Sequence, residues 1–393
     1  MWFHFDFQIH ARLVRLAWGE PDPRTRRKSL VQLLLWVPAV ASFHALCFAL
    51  DGLLFPSLRR VRIDAPVFIV GHARSGTTLL HRLMSQDEGR FSSFLTWEMH
   101  FPSLLQKRAI RLGARVDARW LGGSFARRVA AWEEKRYGPV RHIHEMGLTI
   151  PEEDDLVFYW SCASGFWMTE MPYMGELDFF DVDHWPERRR RRLMRFYRDC
   201  LRRQLALNGD DRTHLCKAPL FAGRVEALIE EFPDCRIVLP VRNPGETIPS
   251  LLKLLAGGWR QLDWSHERVN ACARAMVETS FATYLHPPEV LARHTETRSA
   301  IVDYRELVAD PAKTVTGLYE RLDLPMTPAY RTTLEAAAKR SGKHASGHHY
   351  SLEMFGLEAD VIRTRLADLF DAYGWDAGAE AERELRPGGE AHR

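Results

Sequence analysis

The pattern of apolar segments predicts an α/β fold built on a mostly parallel sheet flanked by helices. Short runs rich in Val, Ile and Leu have the length of strands, and each is followed by a segment with a helical pattern. Parallel strands need a crossover connection, usually a helix, so this alternation favours a parallel sheet. The predicted strands are Pro66–Gly71, His214–Lys217, Arg236–Val241 and Ala300–Tyr304, and the helices after them are Thr77–Ser85, Phe221–Glu231, one from near Gly245, and Pro311–Leu322.

The chain of 393 residues is expected to form one large domain with additions at both ends. Residues 1–60 form an apolar N-terminal helical segment, residues 61–375 the domain, and residues 376–393 a polar tail that frays. Residues 86–210 lack the strand–helix rhythm, which predicts a helix-rich insertion over the ligand-binding edge of the sheet. Its tryptophans are expected mainly in the core, with some lining a substrate pocket: Trp97, Trp120, Trp132, Trp160, Trp167 and Trp185.

The N-terminal segment is apolar from Leu30 to Leu50 and follows a basic run, Arg24–Lys28. Its length and flank suffice for a membrane span with the N-terminus inside. Pro38 interrupts the run, which favours two short amphipathic helices, Ser29–Trp36 and Val40–Phe55, packed on the domain or lying on a membrane surface. No small-residue cleavage site follows, so a removed signal peptide is not expected. We therefore expect a cytoplasmic protein that contacts the inner face of the membrane through residues 29–56.

Composition excludes several classes of function. The net charge is only +3, which gives no global field for nucleic acid. The six cysteines are scattered without a Cys-x-x-Cys pair, as expected of reduced, buried thiols in a reducing compartment. The closest histidine pairs, His142/His144 and His348/His349, belong to no zinc motif, so no metal is predicted. The basic run Arg188–Arg192 is interpreted as a solvated helix face.

The most specific motif is the run from Gly71 to Thr78, Gly-His-Ala-Arg-Ser-Gly-Thr-Thr, between a buried strand and a helix. In this context free backbone N–H groups and the positive end of the helix can hold a phosphate. The two glycines have the spacing of a Walker A loop, but Thr77 stands where that motif has its lysine. Since that lysine reaches the β- and γ-phosphates, its absence argues against triphosphate cleavage, and Arg74 offers the positive group instead.

A second anion site is predicted at the end of the strand Arg236–Val241. Arg242 follows the strand directly, at the edge where open α/β sheets bind ligands, and no Walker B carboxylate is present. Ser250 lies eight residues further on, in the next helix. A guanidinium group and a hydroxyl group so placed could bind a phosphate separate from the first.

These two motifs resemble the 5′-phosphosulfate loop and the 3′-phosphate motif of sulfotransferases that use 3′-phosphoadenosine 5′-phosphosulfate (PAPS). Within that family the chain looks most similar to bacterial members related to tyrosylprotein and carbohydrate sulfotransferases, over roughly residues 50 to 375. The resemblance rests also on the phrases Leu95–Glu98, Pro151–Asp154, Lys217–Pro219 and Tyr350–Leu352. It implies a P-loop NTPase-like sheet, PAPS as the donor co-substrate and no metal.

The resemblance also implies roles for individual residues. Those that would hold the 5′-phosphosulfate are Arg74, Ser75, Gly76, Thr77 and Thr78, with His72 as a further contact, and those at the 3′-phosphate are Arg242 and Ser250. Tyr304 resembles a tyrosine near the nucleotide, although a strand-end core aromatic explains it equally well.

For sulfuryl transfer, Arg74 and Lys217 are the candidates that stabilise charge, and Glu98 is the candidate base. Cytosolic members of the family carry a histidine shortly after the lysine, and this chain has Lys217-Ala218-Pro219 instead, so His214 is the fallback base. The stretch Lys343–Tyr350 is expected to be either a lid over the 3′-phosphate or a plain loop between helices.

The sequence therefore predicts an enzyme that transfers a sulfuryl group from PAPS to an acceptor hydroxyl. The acceptor is expected to be a small molecule, a lipid or a glycan, with a peptide also open, and the tryptophans and the apolar N-terminus favour a hydrophobic compound. The alternatives are a P-loop kinase-like phosphotransferase and a non-catalytic, membrane-associated nucleotide-binding protein. Nothing in the sequence indicates an oligomeric state.

Overall fold

A five-stranded parallel sheet with strand order β2-β3-β1-β4-β5 forms the centre of the molecule. The computed structural model describes residues 2–138, 147–341 and 359–375. The expected Lys343–Tyr350 lid or loop, the histidine pairs His142/His144 and His348/His349, and the tail lie outside these residues. The strands are β1 Val67–Ile69, β2 Phe91–Ser92, β3 Thr213–Lys217, β4 Arg236–Val241 and β5 Arg298–Asp303.

Helices cover both faces of the sheet, as the alternation of segments predicts. The helix after β1 packs on one face of the sheet, where it contributes Leu80 and Leu83 to the core. The helices Glu187–Asn208 and Val225–Glu231 pack on the other face. The helices are α1 Phe7–Trp18, α2 Pro23–Val31, α3 Val37–Leu54, α4 Thr77–Met84, α5 Thr96–His100, α6 Leu104–Trp120, α7 Ser124–Tyr137, α8 Trp167–Glu170, α9 Glu187–Asn208, α10 Val225–Glu231, α11 Pro244–Gln261, α12 His266–Arg293, α13 Tyr304–Ala309, α14 Pro311–Arg321, α15 Pro328–Ser341, α16 Ala359–Arg365 and α17 Ala367–Tyr373.

Sequence and structure differ at several element boundaries. The two-residue strand β2 lies inside the helix-rich insertion, and it is too short to leave an alternation signal. Part of the predicted helix Phe221–Glu231 is a 3-10 turn, Pro219–Arg224, ahead of α10. Tyr304 does not end β5 but begins α13, because the Asp303 carboxylate caps that helix.

From Pro23 to Leu54 the N-terminal segment is one continuous helix, and the expected break at Pro38 does not occur. Helices α2 and α3 are joined by a π-helical turn, Gln32–Trp36, in which the Val37 N–H donates to the Gln32 carbonyl. Such a wider turn accommodates a proline that an α-helix would not tolerate. The helix from Pro23 to Leu54 is long and apolar enough to cross a membrane, and one third of its most apolar stretch is buried.

A buried ion pair ties this helix to the domain. Arg203 of α9 donates from Nε to Asp51 Oδ2 at 2.7 Å, and both side chains are fully buried. The Asp51 carboxylate also accepts the backbone N–H groups of Leu104 and Leu105 at the start of α6, at 3.0 and 2.8 Å. One carboxylate thus joins the N-terminal helix, the insertion and α9.

Removing this carboxylate is expected to destabilise the whole protein. Asp51→Ala leaves the Arg203 guanidinium buried without its partner, so the free energy of unfolding should fall by about 3–5 kcal/mol. Urea denaturation followed by circular dichroism measures this change. The matched control is Asp64→Ala at an exposed position, where a change within about 0.5 kcal/mol is expected. Equal stability of the two variants would contradict the proposed link.

The tryptophans of the insertion divide between the core and the surface. Trp167 and Trp185 are buried, Trp97 and Trp160 are half-buried, and Trp120 and Trp132 are exposed on α6 and α7. The core expectation therefore holds for only part of the set. All six cysteines are buried free thiols, in agreement with the sequence.

Candidate active site

The loop between β1 and α4 approaches the neighbouring elements too closely for any side chain at its two glycines. Gly71 has φ +117° and Gly76 has φ +86°, a backbone conformation that favours glycine. A Cβ at Gly71 would lie 2.9 Å from Leu239 Cδ1, and one at Gly76 would lie 2.8 Å from Tyr304 Cδ2. The glycines thus let the loop turn tightly against β4 and α13.

The start of α4 offers backbone donors to an anion. Gly76 is its N-cap residue, so no side chain caps the helix and its first N–H groups remain available. Thr77 and Thr78 are the first two residues of the helix, and Ser75 is fully buried behind them. These positions suit a phosphate group, as the motif predicts.

Arg74 links the first predicted anion site to the second. Its backbone has φ +71°, an uncommon conformation for a residue with a side chain. Its Nε donates to the Ser250 hydroxyl on α11 at 3.1 Å, and its carbonyl accepts from an Arg242 terminal nitrogen at 3.3 Å. Two motifs separated by more than 160 residues in the sequence are therefore in direct contact.

Arg242 lies against an aromatic ring at the carboxyl end of β4. Its guanidinium carbon lies 4.2 Å from the centroid of the Tyr304 ring, which holds the group in place. The Nε and one terminal nitrogen donate to Glu246 Oε2 at 2.8 and 2.6 Å. Glu246 is half exposed, so an incoming phosphate competes with a solvated carboxylate for this guanidinium group.

A hydrogen-bond chain supports Arg242 from behind. The Tyr284 hydroxyl donates to the Arg242 carbonyl at 2.8 Å and lies 2.6 Å from Thr247 Oγ1. The His72 ring stacks on Tyr284, with 4.9 Å between centroids. The sequence gives no sign of the roles of Tyr284 and Thr247. No local pattern distinguishes a tyrosine that supports Arg242 from one that only fills the core.

His72 occupies a supporting position, and its expected contact with the donor is not favoured by this geometry. Its Nδ1 lies 2.6 Å from the Ala73 carbonyl and its Nε2 lies 3.0 Å from Ser280 Oγ, so both ring nitrogens are occupied. Burial lowers the pKa of His72 to about 4, which keeps the ring neutral. A neutral ring with both nitrogens engaged stabilises the loop.

Lys217 ends β3 directly beside the loop strand, since it pairs in register with Ile69. Its Nζ lies 2.7 Å from Glu152 Oε1 and 3.3 Å from Glu153 Oε1, and the side chain is almost fully buried. Burial alone would lower the pKa of Lys217, but the carboxylates of Glu153 and Glu152 outweigh it and raise the pKa. The site thus holds a charged lysine with two carboxylates, and the Pro151–Asp154 phrase was the sequence signal for them.

Glu98 is fully buried in the insertion and already accepts several hydrogen bonds. Its Oε2 accepts from the Leu95 N–H at 3.0 Å and from Gln204 Nε2 at 2.6 Å, and its Oε1 lies 3.3 Å from an Arg111 nitrogen. These contacts are those of a capping and ion-pairing carboxylate. None of these contacts joins Glu98 to the loop between β1 and α4, so its role as base stays a prediction.

His214 lies in the core, where it does not suit the fallback role of base. The side chain is fully buried, with Nε2 2.7 Å from Asp154 Oδ2 and the ring 5.2 Å from that of Phe94. The same carboxylate oxygen accepts from the Tyr197 hydroxyl at 2.6 Å. His214 points into this network because alternate residues of a strand face opposite sides of the sheet.

Comparisons with known proteins agree with this geometry. The sequence model of the sulfotransferase family matches residues 66–328. Omega-hydroxy-beta-dihydromenaquinone-9 sulfotransferase Stf3, from Mycobacterium bovis and Mycobacterium tuberculosis, is 24% identical over 339 residues, which cover 82% of this chain and 79% of that protein.

Two solved structures share the fold over nearly the whole chain. Sulfotransferase STF9 from Mycobacterium avium has a TM-score of 0.72 at 17% identity and covers 94% of this chain and 93% of its own. Sulfotransferase STF1 from Mycobacterium tuberculosis H37Rv has a TM-score of 0.63 at 18% identity, with 93% and 94% covered. The family match spans both anion-site motifs, so the chain belongs to the sulfotransferase family and is an enzyme that transfers sulfuryl groups.

Proposed function

We propose that this sulfotransferase takes its sulfuryl group from PAPS. The observation that carries the proposal is the direct contact between Arg74 and Arg242, each at an anion site of its own. A nucleotide with a phosphate at the 5′ end and another on the ribose matches two such sites. The positive φ values of Gly71 and Gly76 give the loop the tight turn that such a phosphate site requires.

Each site would hold one end of the donor. Backbone N–H groups from Gly76, Thr77 and Thr78, with the Ser75 hydroxyl nearby, suit the 5′-phosphosulfate. Arg242 and Ser250 suit the 3′-phosphate. Tyr304, whose ring contacts both Gly76 and the Arg242 guanidinium, suits a place beside the nucleotide. Neither the kinase-like nor the non-catalytic alternative gains support from any residue here.

In the reaction, the acceptor oxygen forms a bond to sulfur while the bond from sulfur to the donor phosphate oxygen breaks. Negative charge develops on that departing oxygen, and the acceptor loses its proton. Arg74 in the loop and Lys217 at the end of the neighbouring strand would stabilise this charge.

The proton acceptor is a carboxylate, and two places in the structure provide one. Glu98 is the candidate from the sequence, whereas Glu152 and Glu153 adjoin Lys217. Glu153 is the more exposed of this pair, and its distance to Lys217 is the longer one. The greater exposure of Glu153, together with its place beside Lys217, favours it as the base, and Glu98 is then a residue that stabilises the insertion.

Replacing each carboxylate by its amide separates the two assignments. Glu153→Gln should lower kcat by about 10²–10⁴-fold with little change in donor KM, because a general base acts only in the transition state. Glu98→Gln should mainly lower the melting temperature, because Arg111 loses its buried partner. Steady-state kinetics and thermal denaturation measure both variants. A large loss of kcat in a fully stable Glu98→Gln protein would assign the base to Glu98.

Calorimetric titration with 3′-phosphoadenosine 5′-phosphate tests the donor assignment. Adenosine 5′-phosphate is the matched ligand, since it lacks only the phosphate assigned to Arg242 and Ser250. Tight binding of the first and weak binding of the second is expected. Equal affinities of the two ligands would contradict the second anion site. Transfer of radiolabelled sulfate from PAPS is a separate assay that reports whether the protein is active.

We also propose that the acceptor is a hydrophobic hydroxyl compound and that the enzyme works at the cytoplasmic face of a membrane. The relative Stf3 is named for a dihydromenaquinone derivative. The N-terminal helix exposes large apolar side chains that include Leu35, Trp36, Phe43, Leu46 and Leu53. Transfer of radiolabel to lipid, glycan and small-molecule extracts tests the class, and labelling confined to the glycan fraction would contradict it.

A further inference from the structure

A large open cavity lies between residues 2–7, α3 and α9, and the proposed reaction does not use it. Its volume is about 1330 Å³. Its apolar lining comes from Phe3, Phe5, Pro38, Ala41 and Phe196. None of the residues assigned above to sulfuryl transfer lines it.

The remaining wall is strongly basic. Among the described residues, seven arginines line the cavity, and Asp199 is the one acidic residue beside them. Asp199 lies 3.4 Å from Arg202, while Arg191 and Arg198 pair with Glu187 and Glu231 from outside the lining. In the part of the chain that the structure describes, no ion pair or side-chain hydrogen bond engages the other four, Arg59, Arg188, Arg192 and Arg195.

A buried histidine on the same wall also lacks a partner. His4 is only 6% exposed, and neither ring nitrogen has a hydrogen-bond partner among the described residues. Burial lowers the pKa of His4 to about 4, with Arg192 and Arg189 acting in the same direction against Asp6. The neutral ring keeps one N–H to donate, and a buried donor without a partner is costly.

The cavity combines an apolar surface with guanidinium groups that have no ion-pair partner among the described residues. This combination matches one kind of ligand, a hydrocarbon chain with an anionic head group. We propose that this cavity binds an acidic phospholipid of the membrane surface. The phosphate lies against Arg188, Arg192 and Arg195, and the chain lies on Phe3 and Phe196. The exposed apolar side chains of α3 lie beside the cavity, so the bilayer that supplies the lipid contacts the same side of the molecule.

This inference does not depend on the identity of the donor or the acceptor, and thermal denaturation with soluble ligands tests it. Short-chain phosphatidylglycerol below its micelle concentration should raise the melting temperature. Short-chain phosphatidylcholine and inorganic phosphate at equal ionic strength should raise it much less. A full shift in melting temperature with phosphate alone would identify a plain anion site and overturn the lipid assignment. Equal shifts with the two lipids would show that the acidic head group is not recognised, which would also overturn the proposal.

Two charge-reversal variants locate the effect. Arg192→Glu with Arg195→Glu should weaken phosphatidylglycerol binding by about tenfold or more, because charge-assisted hydrogen bonds are lost. Arg331→Glu with Lys339→Glu, two exposed positions on α15, makes the same change in net charge and should bind as the wild type does. Equal losses in both variants would reduce the effect to net charge and overturn the site.

Two further measurements complete the test. His4→Phe keeps an aromatic ring without the nitrogens, and it should weaken phosphatidylglycerol binding without lowering the melting temperature of the free protein. The circular dichroism spectrum should be unchanged in every variant, which shows that each one is folded. Flotation with phosphatidylcholine vesicles, with and without phosphatidylglycerol, should show recruitment only to the acidic vesicles. Equal recruitment to both would contradict the proposal.

Discussion

Arg74→Ala should lower kcat by about 10²–10³-fold, the effect typical of losing one group that stabilises developing charge. Arg74 lies in the phosphate loop, where negative charge grows on the oxygen that leaves sulfur. A single-turnover assay with radiolabelled PAPS measures the rate of transfer. Donor affinity should fall less, because backbone N–H groups at the start of α4 still hold the phosphate.

A backbone effect needs separate control, because Arg74 has a positive φ of 71°. Arg74→Gly accepts this conformation without strain, so it should be at least as stable as Arg74→Ala and equally slow. Arg74→Lys keeps the charge but loses the fork-shaped donor, so an intermediate rate is expected. Transfer at the wild-type rate in either Arg74→Ala or Arg74→Gly would remove this residue from the mechanism.

Arg242→Ala should raise the donor KM by about tenfold to a hundredfold or more, since a charge-assisted phosphate contact contributes about 1.5–3 kcal/mol. The phosphate assigned to Arg242 is remote from the bond that breaks. Its contact therefore stabilises ground state and transition state alike, and kcat should change little at saturating donor. At donor concentrations far below KM, transfer by this variant should be slower by the same factor as the rise in KM.

The neighbouring Glu246→Gln is the matched variant on α11. Glu246 now accepts two hydrogen bonds from the Arg242 guanidinium, and a neutral amide competes less with phosphate. Donor affinity should therefore stay equal or increase. A loss of donor affinity in Glu246→Gln as large as that in Arg242→Ala would mean that donor binding depends on the orientation that Glu246 gives the guanidinium group. It would contradict a simple competition between Glu246 and the phosphate.

Local sequence is sufficient to predict the phosphate loop and the strand end that carries Arg242. The spacing of Gly71 and Gly76 predicts a tight turn, in agreement with their positive φ, and β4 was predicted with its observed bounds. The family resemblance rests on the same short motifs, which explains why the sequence alone predicts both the fold class and the family. The alternation did not reveal β2, because that strand is only two residues long.

The sequence by itself determined the α/β class, the two anion motifs and the sulfotransferase family, because each depends on residues close together in the chain. Only the tertiary structure decided that Lys217 adjoins Glu152 and Glu153, that His214 and Glu98 are buried in networks, and that the N-terminal helix passes Pro38 unbroken. It also decided that a basic run on α9 faces apolar side chains across a cavity. Such contacts join residues far apart in sequence, and their burial and charge are set by packing, which no local pattern encodes.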